Sequence, residues 1–343
     1  MKTFTKAKMQ DPEDKLTFID LFSGIGGFRI GMEQAGFDCV FSNDYDKYAN
    51  QTYKAWFGDA NHSEKSLFDV DIENEIASHD VLCGGFPCQP FSNAGKKLGF
   101  DDQHQGNLFF RIVDIAKSKS PKVIFLENVR TLLTHDSGYT FQTINRMLTD
   151  LGYIPAYEII NTKYWTPQNR SRVFMVYLHE TIASVETVND VNRQLIALKE
   201  GEGREAQSFS SIMDPDPDKS YQIPQGTYQA LIRHRDAHRH KGNGWGFGLM
   251  EDFTKQTRTL SARYAKDGAE ILIKQKYWRR PRKITMNEAK GLMGFTDDYA
   301  KKYNFENGFP IVGSNTQVYK QFGNAVVPGV IEEIAKIIIT ILD

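Results

Sequence analysis

Three cysteines occur in this 343-residue chain, and one of them, Cys88, sits in a setting unlike the others. It lies in GGFPCQPFSNAG, between a proline and a glutamine, with glycines on both sides. Cys39 and Cys83 fall inside apolar runs and read as small buried hydrophobes, which is how most free cysteines behave. Cys88 reads instead as a nucleophile. A free thiol titrates near ~8.5, so attack at neutral pH requires local positive potential or hydrogen bonding to the thiolate. Helix N-termini and nearby arginines can supply that. Glu127, in the tripeptide ENV, needs a different role, because a neighbouring carboxylate raises a thiol's pKa. A second constellation lies upstream. FSGIGG places Gly24, Gly26 and Gly27 in a tight turn that a ligand can approach closely, and Asp44 follows 20 residues after Gly24. Doubly wound sheets commonly offer such a carboxylate to a ribose. The full GxGxxG spacing is missing, so a dinucleotide is not the obvious ligand.

These residues need a scaffold that brings them together, and the hydrophobic pattern supplies one. LTFIDLFSG, FDCVFSND, HDVLCGG and PKVIFLENV read as strands. GFRIGMEQAG, YDKYANQTYKAWFG, NLFFRIVDIAKSKS and TFQTINRMLTDLG have helical periodicity. YIPAYEIINTKYW and RVFMVYLHE follow as strands. Strands alternating with helices predict a parallel α/β sheet covered on both faces. The glycine turn, Asp44, the Cys88 loop and Glu127 then share the C-terminal edge of the sheet, where ligands bind in open α/β folds. The loop Gln89 to Asn107 is long, polar and glycine-rich, as a lid is.

Composition narrows the class without choosing a partner. The chain is 40% hydrophobic and 25% charged, with a formal net charge of −1. The N-terminal run lacks the apolar core of a signal peptide, and IIITIL is too short to span a membrane. Three cysteines without metal-ligand spacing predict neither a disulfide framework nor a metal site, and fit a cytoplasmic protein. Charge is unevenly spread. From Arg233 to Lys283, fourteen Lys and Arg stand against five acidic residues. Such a basic segment suits phosphate neutralisation. The pattern becomes irregular after about Ala183, and VYKQFGNAVVPGVIEEIAKIIITIL restores a helical one. The expected division is therefore 1–182 plus 314–343 for the sheet domain and 183–313 for an inserted, more irregular domain.

In order along the chain, FIDLFSGIGGFRIG, GGFPCQPFS, ENV, QNRSRVF and VYKQFGNAVVPGV resemble the motifs of DNA (cytosine-5) methyltransferases of the bacterial and phage type. The resemblance covers nearly the whole chain. It implies a Rossmann-like methyltransferase domain, S-adenosylmethionine as methyl donor, and double-stranded DNA as substrate. Cys88 would add to C6 of cytosine, making C5 nucleophilic. Glu127 would hold the N3/N4 edge of the base, and Arg170 and Arg172 would steady the ring oxygen and the glutamate. Phe22, Gly24 and Gly26 would line the methionine end of the cofactor, with Asp44 at the ribose. Tyr45 would lie by the adenine, Asp71 and Ile72 near its edge, and Leu108, Asn324 and Val326 would close the pocket. Family members usually carry Glu at the position of Asp44, Arg at Asn287 and Pro at Thr296.

The base to be modified lies inside a duplex and must be rotated out, at a cost of a few kcal/mol. The Gln89 to Asn107 loop would close over it, with Gln89 and Ser92 at the DNA. TRTLSARYAKDGAEILI resembles the recognition region of relatives that read CCGG, CCNGG or CC(A/T)GG, and Arg258 and Arg263 are its candidate DNA contacts. The resemblance further implies a monomer, with a cognate restriction endonuclease as a separate partner at the same site. Three rivals are weighed against this reading. A cytosine-5 tRNA methyltransferase shares the core but not the long basic insertion. A nicotinamide-dependent oxidoreductase leaves Cys88 and QNRSR unexplained. A silent DNA binder would not need complete catalytic motifs.

Overall fold

The computed structural model describes residues 15–87, 108–243 and 246–342. Cys88, Gln89 and Ser92 therefore lie outside the described residues. Seven strands form the main sheet: β1 (Thr17–Leu21), β2 (Asp38–Asn43), β3 (His62–Ser63), β4 (Val81–Gly84), β5 (Val123–Val129), β6 (Tyr153–Asn161) and β7 (Ser171–His179). Their spatial order is β3-β2-β1-β4-β5-β7-β6. The first five run parallel, and β7 inserts antiparallel between β5 and β6. The order reverses between β1 and β4, which makes the gap beyond their ends a switch point for ligands.

Period-two alternation feeds two cores. Phe18, Val81, Cys83, Val123 and Phe125 face one side, and Ile19, Leu21, Leu82, Ile124 and Leu126 face the other. Helices α1 (Gly27–Ala35), α2 (Lys47–Phe57), α3 (Ile72–Glu75), α4 (Leu108–Lys119) and α5 (Tyr139–Thr149) connect the strands. Next come α6 (Val185–Glu200), α7 (Gln225–His240), the short pair β8 (Leu249–Met250) and β9 (Leu272–Ile273), α8 (Met286–Leu292) and α9 (Asp297–Lys301). The chain closes with α10 (Asn315–Asn324) and α11 (Pro328–Leu342). Residues of α11 pack along α1, with Gly31 at the contact: a Cβ there would lie 2.6 Å from both Ile331 Cβ and Pro328 O. The cover of the sheet also runs past residue 182, because α6 packs on β6 and buries Val188, Val191 and Leu195.

The inserted region has little regular structure, yet it shares the first core. Leu260, Tyr264, Ile271, Ile284 and Phe295 belong to the same apolar cluster as Phe18 and Phe125. A fully buried ion pair anchors it. Arg282 Nη1 and Nη2 donate to the two oxygens of Glu288 at 2.7 Å each, and Glu288 also accepts the backbone N–H of Asp214 and Thr285. Thr296 caps α9 by accepting from Tyr299 N. Asn287 is exposed on the first turn of α8. No helix among the described residues is long and apolar enough to cross a membrane.

Candidate active site

A cavity of about 430 Å³ opens at the C-terminal edge of β1, β2, β4 and β5. That volume lies within the range of about 300–1,000 Å³ usual for ligand sites. Phe22, Gly24, Asp44, Tyr45, Leu108, Glu127, Arg170, Arg172 and Asn324 all line it. The chain leaves β1 through a sharp turn in which Phe22 has φ 57° and Gly24 φ 55°. Gly24 tolerates that left-handed geometry; for a bulky Phe it is strained, and such strain concentrates at functional sites. Asp44 braces the turn. Its two carboxylate oxygens accept from Gly24 N and Asp46 N, each at 2.8 Å. Burial raises the Asp44 pKa, against the lowering effect of these N–H donors. The shorter carboxylate thus supports the glycine turn and keeps lone pairs for a ligand hydroxyl.

Glu127 sits at the end of β5, 8% exposed. Arg172, on the antiparallel neighbour β7, places its Nε 3.1 Å from Glu127 Oε1. Burial raises the Glu127 pKa, with Arg172 and then Arg170 opposing it. The result is a carboxyl able to hold a proton in a largely dry pocket beside a fixed cation, suited to gripping a polar ring edge. Arg170 lines the cavity and also has a structural part. Its guanidinium donates to Leu260 O at 3.0 Å, Gly323 O at 3.1 Å and Ala325 O at 2.9 Å. Arg170 therefore clamps two backbone segments through three carbonyls, and its charge acts on Glu127.

Several other residues expected at the site do not line the cavity. Asp71 caps α3 by accepting from Glu73 N and Asn74 N, and neither Asp71 nor Ile72 lines the cavity. Leu67 lines that wall instead, at the start of a single turn capped by Ser66. The position a few residues after β3 is the sequence signal that points to Leu67. Gly26 does not line the cavity either: it lies against the Phe57 ring, which leaves no room for a Cβ. Val326 stands behind the wall, with its carbonyl and side chain against Gly27. Arg258 and Arg263 are both exposed, and Arg258 also donates to Gly246 O at 2.8 Å.

Several positioning residues were not anticipated. Asn128 of ENV donates to Phe86 O at 2.9 Å, tying β5 to the segment that leads to Cys88. Pro87 lines the cavity, and Cys88 follows it directly in the chain. Gln168 bridges to the inserted region, donating to Leu292 O at 2.8 Å and accepting from Leu260 N at 2.6 Å. Lys320 of α10 pairs with Asp46 at 2.7 Å at the cavity wall. Gln321 donates to Tyr48 O at 2.8 Å and so holds α10 against α2.

A doubly wound sheet with an antiparallel seventh-strand insertion and a glycine-turn cavity defines a Rossmann-like methyltransferase fold. The fold agrees with solved structures: the S. pombe Dnmt2 methyltransferase superposes with a TM-score of 0.71 at 17% identity, covering 96% of this chain and all of that one. Residues 16–340 match the family model described as C-5 cytosine-specific DNA methylase, and the chain belongs to that family. Among its relatives, type II methyltransferase M.NlaX of Neisseria lactamica is 41% identical over 324 residues, spanning 93% of this chain and 94% of that protein. M1.ScrFI of Lactococcus lactis subsp. cremoris is 40% identical over 331 residues, spanning 96% and 79%. M.HpaII of Haemophilus parainfluenzae is 35% identical over 347 residues, spanning 94% and 89%. The protein is a DNA cytosine-5 methyltransferase.

Proposed function

We propose that this enzyme methylates C5 of a cytosine rotated out of a specific duplex site, through a transient bond between Cys88 and C6. The observation that carries the reading is the buried Glu127–Arg172 pair, facing a cavity whose rim includes Pro87, the residue bonded to Cys88. The Cys88 thiolate adds to C6 as Glu127 supplies a proton to N3, so the ring electrons become available at C5. Arg172 steadies Glu127 and the ring oxygen. S-adenosylmethionine, when bound, supplies the methyl group to C5. Loss of the C5 proton to solvent then expels Cys88 and restores the aromatic base.

The cavity fits that donor. The Gly24 turn leaves backbone close to the ligand, Asp44 and Tyr45 stand where a ribose and adenine would lie, and Leu67 and Leu108 give apolar walls. The target is proposed to be of the CCGG, CCNGG or CC(A/T)GG type, from the TRTLSARYAKDGAEILI segment, and the type II relatives suggest a cytoplasmic restriction-modification setting with a separate endonuclease. The test is two-fold. Plasmid DNA treated with the enzyme and S-adenosylmethionine should gain 5-methylcytosine at one recurrent sequence. Duplex carrying 5-fluorocytosine there should become cross-linked through Cys88. Methylation without such a cross-link would remove the covalent step, and methylation of transfer RNA alone would remove the substrate.

A further inference from the structure

We propose that the outward face of α7 grips the DNA backbone beside the recognised site, a role that rests on the DNA-methylating function above. This helix runs for sixteen residues and buries none of them. One face is nevertheless held. Tyr228 and Arg235 lie against Phe247, with ring centroids 5.9 Å apart and the guanidinium carbon 5.3 Å from the ring centre. The residue before Phe247, Gly246, accepts from Arg258 through its carbonyl. Helix α7 therefore adjoins the recognition segment through residues 246–247.

The opposite face carries Ala230, Arg233, Ala237, His240 and Lys241, at the spacing of a single helical side, and all are exposed. No acidic residue interrupts it. The helix's one carboxylate, Asp236, is half-buried and paired with Arg235 at 2.9 Å. Among the described residues, Arg233 and Lys241 have no carboxylate partner, unlike Lys274, which pairs with Glu251. Small alanines between the cations let a bulky polyanion approach closely. At 1.5 Å per residue, Arg233 and Lys241 stand about 12 Å apart along the axis, which two phosphates of one duplex strand can match. An unpartnered basic face adjoining the recognition segment suits the backbone of duplex that flanks the base pairs read there.

The variant R233A/K241A tests this on the full chain. Both residues are exposed, so an unchanged thermal midpoint should accompany the substitution. Fluorescence anisotropy would compare a duplex about three helical turns long with one about a single turn long. On the longer duplex the variant should bind roughly three- to tenfold more weakly, with a salt slope smaller by about 2. On the shorter one it should match the wild type, and methyl transfer at saturating DNA should be unchanged. Equal affinity and salt slope on the longer duplex, or an equal loss on both, would overturn the proposal. Failure of the wild type to methylate any duplex would instead count against the function proposed above, and the length comparison reads binding independently of it.

Discussion

Glu127 and Asp20 are both buried carboxyls, and the contrast between them is instructive. Glu127 has a partner, and burial raises its pKa against the opposing charge of Arg172. Glu127→Gln should slow transfer by about 10²–10⁴-fold, the scale of lost acid–base catalysis, while S-adenosylmethionine affinity measured by calorimetry stays within a small factor. Equal losses in both would contradict the assigned role. Asp20, on β1, is fully buried, and among the described residues neither carboxylate oxygen has a partner at full hydrogen-bond geometry. Burial pushes its pKa up to about 8, and nearby Arg29 offsets only part of that. Because the folded pKa lies above the unfolded one, the contribution to stability is complete at low pH and is lost as pH rises towards 8. The slope is up to about 1.4 kcal/mol per pH unit in that window. Asp20→Asn should flatten the dependence, so the urea midpoint of the variant should gain on that of wild type between pH 5 and pH 8.

At the scale of elements, the cavity exists because turns and helices meet at short range. Helix α11 approaches α1 closely enough that Gly31 has no room for a side chain. Gly31→Ala should cost about 1–3 kcal/mol through overpacking, read as a lower denaturation midpoint. The strands and helices of the sheet domain were legible in the sequence, because alternation and amphipathic spacing are local signals. The parts of Asp71, Ile72 and Arg170 are less legible, because a helix cap and a cavity edge call for similar residue types and a guanidinium suits a ring oxygen and three carbonyls equally well.

For the whole molecule, QNRSR joins the inserted region to the cavity wall. Gln168 and Arg170 both reach Leu260 in the inserted region, while Arg172 reaches Glu127. Alternation along the chain puts all three on related sides. Gln168→Ala would leave Leu260 N and Leu292 O without this partner, at a cost of about 1–3 kcal/mol. Affinity for target duplex should fall more than affinity for S-adenosylmethionine, and a mutant with unchanged DNA affinity would show that the joint transmits nothing. The two regions also share one apolar cluster, so the inserted region is not an independently packed attachment.

Residue types and their order determined the family, the parallel sheet and the identity of the polar groups at its edge, because these follow from short-range periodicity and from motifs within a few residues. Tertiary structure decided which of those groups face the cavity and which brace it. Arg170 and Gly26 carry side chains or spaces whose use depends on neighbours brought in from far along the chain, and no local pattern records those neighbours.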